Sequence, residues 1–600
     1  MASWQRTEYC GILRPAHIGR TVTLNGWVNS VRDHGDLVFI DLRDRTGLIQ
    51  TRADVGESGA EIVRLASAVR PEYVLSITGE VRRRSPGNEN PKLATGEIEV
   101  EIQHLQVLNT CKQPLPFPLS DEAQMAQVNE ELRVKYRYLD LRRPRMQQML
   151  QMRHDVIALM REYLNRHGFL EIETPILTKS TPEGARDYLV PYRLTPGLFY
   201  ALPQSPQQYK QLLMVAGCER YYQIAKCFRD EAQRADRQPE FTQLDMEMAF
   251  VTQDDVLQVT EGLFVELIER LSTKRIGARP FTRLTYDEAI RRFGTDKPDL
   301  RFGLELVDVG TILAGTRFGV FREALDHGGQ VKALRYPGGG TLSRKEIDAL
   351  TALAREFGAR GLAYLTGDAA HPRGPVAKHL DPHELAAVLS ATQAQPEDLV
   401  LFMAGEASRV AAVLGRLRTE VGRRLNLADP DVVHFCWITD FPLVEWNEEE
   451  ARWDAVHHPF TMPHPEDIPL LDTDPGRVRA LCYDLVYNGI EGASGSIRIH
   501  RRDIQEKVFQ LLRIAPAEQE ARFGHMLEAF QYGAPPHGGI APGIDRLVAT
   551  LMDVPNLNIR EVMAFPKIGG GADPMMGAPS PVSPQQLEEL HLRVVWPQEP

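Results

Sequence analysis

The sequence predicts a multidomain α+β protein whose N-terminal part is a small β-barrel. Three observations carry that expectation. A chain of 600 residues is too long for one ordinary core, so three or more domains are expected. Residues 20–108 alternate apolar and polar in short runs divided by turn residues. Beyond residue 145 strand-like and helical periodicities mix, and the stretch 298–424 changes character.

The barrel rests on the runs Val22–Leu24, Leu37–Ile40, Tyr73–Ile77 and Glu97–Ile102, with turns at Asp44–Gly47 and Ser85–Asn88. Short strands at this density within 1–108 suit a small barrel, and the oligonucleotide-binding (OB) fold is one such barrel. Residues 109–145 read as a hinge. A proline-rich piece, Pro114–Pro118, precedes Arg133, Lys135, Arg137, Arg142, Arg143 and Arg145. Beside a candidate nucleic-acid barrel this run is expected to track phosphates; the alternative is a solvated helix face. After Pro144, Met149, Val156, Ile157, Met160 and Leu164 recur near a period of 3.6, and Gly168 supplies a helix stop.

The mixed pattern runs over 146–297. Segment 298–424 then carries its own helix starts, Ser343 with Glu346 and Asp381 with Glu384, and a glycine-rich turn at Pro337–Thr341. It holds no dense chemical motif and reads as an inserted domain. Mixed elements and polar motifs return over 425–567, and 568–600 is a loop-rich extension.

Composition narrows the classes. An apolar fraction of 43% and a charged fraction of 25% belong to a globular chain and exclude disorder over most of its length. No run of about eighteen apolar residues occurs, so no ordinary membrane span is expected. Met1–Arg6 lacks the apolar stretch of a secretory signal. The six cysteines, Cys10, Cys111, Cys218, Cys227, Cys436 and Cys482, form no Cys-x-x-Cys pair. That argues against a disulfide framework and a cysteine zinc site, and for reduced thiols in the cytoplasm. With a net charge of −12, any nucleic-acid contact must come from local patches.

Chemistry concentrates in three clusters. The first runs through Gln204–Lys210, Cys227–Glu231 and Arg234–Glu247. Its last part alternates like a strand, so Gln243, Asp245 and Glu247 share one face. A face with two carboxylates and an amide must meet cations or ligands unless it is a salt-bridged surface. The second cluster is Asp484–His500. Small residues between Glu491 and Arg498 let backbone approach a ligand closely. A carboxylate before them suits Mg²⁺ on ATP, and Arg498 can grip a carboxylate with two parallel hydrogen bonds. An ordinary glycine turn with a surface arginine is the alternative. The third is His537–Leu547, where Gly and Ala allow close strand-on-helix packing and Arg546 can meet a triphosphate. There is no P-loop. His17–Arg20 resembles the start of a class I synthetase signature, but its lysine-rich partner is missing, and it reads as a loop.

Together these clusters are similar to the three motifs of class II aminoacyl-tRNA synthetases, and the chain resembles the bacterial aspartyl-tRNA synthetases over nearly its whole length. The resemblance is carried by Gly26–Asn29 and Phe39–Arg45 in the barrel, Lys135–Arg143 in the hinge, Glu173–Pro175 and Thr181–Asp187, then Trp437–Pro442 and His457–Thr461. It implies an OB-fold anticodon-binding domain and a class II antiparallel-sheet catalytic domain in two parts, interrupted by an inserted α/β (GAD-type) domain. It further implies a homodimer with the Pro175 region at its interface, ATP with Mg²⁺, L-aspartate, and tRNA-Asp.

Site residues follow from the same resemblance. Arg229 is expected to bridge the α-carboxylate and α-phosphate, and Arg546 to hold the γ-end of ATP. Asp230, Glu231, Gln238, Glu491, Gly543, Ile544 and Asp545 complete the ATP contacts, and Asp484 with Glu491 would hold Mg²⁺. Lys210 and Arg498 are the cations for the aspartate side chain, with Asp245 bracing Lys210. Glu183, on the Thr181–Asp187 loop, and Gln207 would meet the α-ammonium, while His457 and His458 close the pocket. Arg32, Phe39, Gln50 and Glu97 would contact the anticodon, with Arg82–Arg84 on phosphates; Phe39 as barrel core is the alternative. Ser30 and Val31 stand where relatives often carry arginine, and Pro542 and Ala493–Ser494 depart from the usual pattern without removing a catalytic group. His34 and Gly87 accompany family members that also aspartylate tRNA-Asn.

Four rivals are weighed. An asparagine-specific relative should not bury two cations in its side-chain pocket, and a lysine-specific one should place acids there. An inactive tRNA-binding paralogue has no reason to keep Arg229, Glu231, Glu491 and Arg546. A stand-alone amide-forming asparagine synthetase would need neither barrel nor hinge.

Overall fold

A computed structural model describes residues 4–180 and 184–595. By internal contacts the chain divides into two units, one of residues up to 151 together with Arg560–Pro581, the other of Met152–Ile559 with the segment from Val582 onward.

The first unit contains a closed barrel of five strands: β1 (Thr21–Asp33), β2 (Leu37–Asp44), β3 (Gly47–Asp54), β4 (Val74–Arg83) and β5 (Ile98–Asn109), in the order β1-β2-β3-β5-β4. Alternation decides what faces inward: Val22, Leu24 and Val28 of β1 and Val38, Ile40 and Leu42 of β2 enter one apolar core. Phe39, between two core positions, therefore points outward and is not part of the core. β3 and the helix α1 (Ala60–Ala68) were not legible as elements. The reason in β3 is that an inward position is Thr51, which stays satisfied by donating its hydroxyl to the Ile40 carbonyl.

The hinge corrects one expectation. Its arginines do not form a phosphate track, because internal acceptors already use them. Arg137, 2% exposed, donates to the carbonyls of Arg560, Met563 and Ala564 and, at 2.6 Å, to Asp140. Arg143 pairs with the same Asp140 and with Glu122. Arg133 forks onto Glu561, and Arg142 binds Glu72 and lies over the Trp27 ring. Buried guanidinium groups require this degree of pairing. Of the run only Lys135 and Arg145 are exposed. Residues 560–564 thus supply the acceptors of the hinge, and Arg560–Pro581 groups with it in the first unit.

The second unit is built on an eight-stranded sheet: β6 (Leu170–Glu171), β7 (Arg220–Phe228), β8 (Glu240–Ala249), β9 (Thr282–Thr285), β10 (Phe435–Thr439), β11 (Cys482–Tyr487), β12 (Ile490–Ile497) and β13 (His537–Pro542). Its order is β9-β10-β11-β12-β13-β8-β7-β6, antiparallel except at its two edges. Helix α2 (Pro144–Arg166) buries Val156, Met160 and Leu164 along one stripe, and Gly168 beyond it takes φ +77°.

Between β9 and β10 the chain leaves the sheet and builds a second one of four strands, Val307–Asp308, Gln330–Tyr336, Leu399–Gly405 and Ala363–Thr366 in that spatial order. Helices Arg344–Glu356 and Pro382–Thr392 begin at capping boxes on Ser343 and Asp381. Successive residues of strand Gln330–Tyr336 enter different apolar clusters, Val331 and Ala333 one and Leu334 and Tyr336 the other, so both faces of this sheet are covered. No helix among the described residues is long and apolar enough to cross a membrane.

Candidate active site

A cavity of about 790 Å³ opens over β8, β12 and β13, of a size to take a nucleotide with a small acid. Its floor is ionic. β8 places Gln243, Asp245 and Glu247 on one face, and both carboxylates are fully buried. Helix α3 (Gln207–Val215) brings Lys210, whose Nζ donates to Asp245 Oδ1 at 2.7 Å and lies 3.4 Å from Glu247 Oε2. Arg498, one residue past β12, donates Nε to Glu247 Oε1 at 3.0 Å, Nη2 to Oε2 at 3.2 Å and Nη1 to Ser496 Oγ at 2.7 Å. The two expected cations therefore meet on one carboxylate, in one site.

The two acids behave differently. Burial works against the charge on Glu247, yet Arg498 and Lys210 outweigh it and hold the carboxyl below its usual range. Burial prevails at Asp245 over the Lys210 ammonium and raises it, and among the described residues its Oδ2 accepts no hydrogen bond. Those bonds use three of the five N–H donors of Arg498, which leaves donors for an incoming anion. Gly539 of β13 pairs with Glu247, and a Cβ there would overlap the Glu247 carboxylate.

A neutral relay lies beside this floor. Gln207 Nε2 donates to Gln211 Oε1 at 3.0 Å, and Gln211 Nε2 lies 3.1 Å from His537 Nε2. His537 Nδ1 contacts the Pro535 carbonyl at 2.8 Å, and since a carbonyl only accepts, that nitrogen carries the proton. Burial pushes the His537 ring below its ordinary value, consistent with a neutral imidazole that accepts from Gln211.

The same cavity is lined by Arg229, Glu231, Gln238, Glu491, Gly543, Asp545 and Arg546. Arg229 sits over the Phe241 ring with 5.0 Å to its centroid, a contact that steadies the guanidinium without consuming donors. Arg546, from helix α4 (Ile544–Leu551), donates to the Glu491 carbonyl at 2.7 Å and to Asp236 at 3.1 Å. Asp545 accepts from Arg153 at 2.6 Å and from the Thr242 amide at 2.9 Å, so its carboxylate braces the strand–helix junction. Two expected ATP contacts are not in the wall: Asp230 faces Arg186, and the Ile544 side chain is fully buried in the core.

Asp484 and Glu491 supply hard oxygen donors of the kind Mg²⁺ requires. Burial raises Asp484 against the opposing effect of His457, with Glu491 adding to the rise, and among the described residues its Oδ1 accepts no hydrogen bond. Burial disfavours the Glu491 charge too, but Lys297, at 2.8 Å, lowers it below the usual range. His457 lies 3.5 Å from Asp484 and edge-on to Phe441. Its charge is opposed by burial but favoured by Cys482 and Asp484, and the net direction is upward. His458 Nδ1 accepts from the Phe460 amide at 3.3 Å. Both histidines line the cavity. Glu183, with Thr181 and Pro182, lies outside the described residues; next to them Gln204 clamps both backbone groups of Ala185.

On the barrel, Arg32, His34, Phe39 and Gln50 gather on one outer face. Arg32 stacks over Phe39 and donates to Gln50 at 2.9 Å, and Gln50 donates to Glu99 at 2.6 Å. His34 meets Phe39 edge-on, with 6.2 Å between centroids. Glu97 pairs with Arg83, and Gly87, at φ +88°, donates its amide to Glu89. The phosphate role read for Arg82–Arg84 does not fit Arg84, which is buried and donates to the Ile98 carbonyl.

Sequence reasoning left Glu247 without a role, although its place on the β8 face was legible. It missed Lys297, Ser496 and Phe241. Ser496 shares a strand face with Ala493–Arg498 spacing as its only signal, and Lys297 had none, because it reaches Glu491 through the fold rather than through any local period.

The family model described as tRNA synthetases class II (D, K and N) matches residues 129–569, and one described as an OB-fold nucleic acid binding domain matches residues 22–108. The chain belongs to the class II tRNA synthetases of this D, K and N family. Among curated relatives, an aspartate–tRNA(Asp/Asn) ligase of Rubrobacter xylanophilus is 57% identical over 99% of this chain and 98% of its own length. An aspartate–tRNA ligase of Geobacillus kaustophilus is 52% identical over 99% of this chain and 100% of its own. A solved asparaginyl-tRNA synthetase of Pyrococcus horikoshii shares the fold with a TM-score of 0.57 at 20% identity, covering 93% of this chain and 97% of that one.

Proposed function

We propose that this chain is an aspartate–tRNA ligase, which makes aspartyl-adenylate from L-aspartate and ATP and then esterifies the aspartyl group to the 3′ end of its tRNA. The observation that carries the reading is the convergence of Lys210 and Arg498 on the Asp245–Glu247 pair beneath Arg229. Two buried cations whose internal partners leave donors to spare suit a side-chain carboxylate. A substrate amide does not compensate two buried charges, which disfavours asparagine.

The first step is an in-line attack of the α-carboxylate on the α-phosphate, and no protein nucleophile is needed. The chain's task is to bring two anions together and to meet the charge that develops. Arg229, steadied on Phe241, is placed to contact both anions; Arg546 grips the far phosphate; Gln207 and Glu183 orient the α-ammonium. Asp484 and Glu491 would hold Mg²⁺, which when bound supplies positive charge to the phosphate oxygens. In the second step a ribose hydroxyl of the tRNA takes the aspartyl group.

The Arg32–Phe39–Gln50 face offers a stacking ring beside hydrogen-bonding groups, a typical way to hold single-stranded anticodon bases. A homodimer completes the reading. Leu170, Ile176, Leu177, Leu189, Leu194 and Leu198, on both sides of Pro175 in the sequence, are each more than two-fifths exposed, and a second copy would cover them. Charging in the cytoplasm fits the six free cysteines.

Use of tRNA-Asn as a second acceptor is favoured by His34 beside Phe39, by Gly87, and by the name of the Rubrobacter relative, an aspartate–tRNA(Asp/Asn) ligase. One pair of assays tests the whole. Pyrophosphate exchange should require L-aspartate, and equal exchange with asparagine or lysine would remove the substrate assignment. Purified tRNA-Asn should accept aspartate; refusal would restrict the enzyme to tRNA-Asp.

A further inference from the structure

Two residues of the cavity wall, His457 and Cys482, meet the buried Asp484 behind it in a second donor set with a different chemistry. Cys482 and Asp484 are two residues apart on β11 and so project from the same face. The His457 ring comes to meet them from the loop before Pro459. One nitrogen of His457, the Cys482 sulfur and one Asp484 oxygen all lie within 4.8 Å of one another, and His457 Nε2 is 3.5 Å from Asp484 Oδ1. Asp484 is 2% exposed, and its Oδ1 accepts no hydrogen bond among the described residues.

We propose that His457, Cys482 and Asp484 form an inhibitory site for a thiophilic divalent cation such as Zn²⁺. Nitrogen, sulfur and oxygen donors within 4.8 Å of one another, the nitrogen and the oxygen 3.5 Å apart, are near enough to converge on one tetrahedral zinc ion, whose bonds run roughly 2.0–2.3 Å. His457 and Cys482 line the cavity, so the fourth corner opens towards it and would take water. The donor set selects soft and borderline ions over Mg²⁺, which does not favour thiolate sulfur. On coordination the Cys482 thiol and the protonated His457 ring each release a proton to solvent, and the metal takes up the sulfur and nitrogen lone pairs. Bound there, the ion occupies the Asp484 carboxylate needed beside Glu491 and fixes His457, so aspartate activation stops until a chelator removes it. The inhibitory effect rests on the activity proposed above; the binding itself does not.

The test uses the full chain. Cd²⁺, added without substrates, should raise the ultraviolet thiolate-to-cadmium band with a saturation of about one ion per chain. Cys482→Ala should abolish that band, with Cys482→Ser as the second variant should the alanine form fold poorly. In aspartate-dependent pyrophosphate exchange, the Zn²⁺ concentration for half inhibition should rise at least about tenfold in either variant, each measured against its own zinc-free rate. A band retained in both variants would assign the metal to the partly exposed Cys111 or Cys218 and overturn the proposal, as would unchanged zinc sensitivity. Zinc-free enzyme that ignored aspartate would strike the activity reading alone and leave the cadmium result standing.

Discussion

The hinge and the pocket floor both gather arginine and carboxylate out of water, but they balance donors differently. In the hinge, Arg137 spends its guanidinium on three carbonyls and Asp140, and Arg143 spends its own on Asp140 and Glu122. On the floor, Lys210 and Arg498 share Asp245 and Glu247 and keep donors in reserve. The first arrangement is closed and can only hold structure. The second is open on the cavity side and can receive an anion. The difference teaches that a cationic run gains its meaning from the acceptors that the fold delivers, not from its charge.

Substitution at the open site should break this contrast most severely. Arg498→Ala removes the fork on Glu247 and the donors for substrate. Aspartate-dependent exchange should fall about 1000-fold, roughly 4 kcal/mol, since a buried charge loses its partner as well. A loss under tenfold would mean that Arg498 is structural, like the hinge. Arg137→Met should do the opposite. It should cost about 3 kcal/mol of stability, read as a lowered unfolding midpoint, while exchange by the folded enzyme stays within about twofold. An intact midpoint would show that the hinge lattice is dispensable.

This contrast also marks what was legible in the sequence. The period-2 spacing of Gln243, Asp245 and Glu247 gave their common face, and the capping signals at Ser343 and Asp381 gave two helix starts that the structure bears out. Val38 and Ile40 against Phe39 could be sorted only once the β2 face was known. The hinge was misread because its partners are carbonyls of residues 560, 563 and 564, some 420 positions away, and a carbonyl leaves no mark in a sequence. Lys297 was missed for the same reason: its acceptor, Glu491, lies beyond the whole inserted sheet. Local periodicity fixes faces, and long-range pairing decides which charged groups on those faces remain available.

The barrel offers a milder version of the open site. Arg32 is exposed, stacked on Phe39, and shares its donors between Asp41 and Gln50. Arg32→Ala should weaken tRNA binding by about 1 kcal/mol, near fivefold, and leave tRNA-independent exchange unchanged. An unaltered KM for tRNA would remove this face from the anticodon contact.

The smallest expected effect probes the neutral relay, which is closed like the hinge but without charge. Burial holds His537 below its ordinary value, with Arg498 and His500 opposing its proton and Glu247 favouring it. In the unfolded chain a histidine titrates near about 6.5. As pH falls through that value the unfolded state takes up the proton first, so stability drops until the folded ring is protonated too; above it the ring contributes no pH dependence. Between about pH 7.5 and about pH 5.5, His537→Asn should lessen the fall in melting temperature by about 1–2 °C. The remainder persists because burial also lowers His434, His500 and His525. An undiminished fall would mean that the proton enters the relay without cost, and that Gln211 does not depend on a neutral ring.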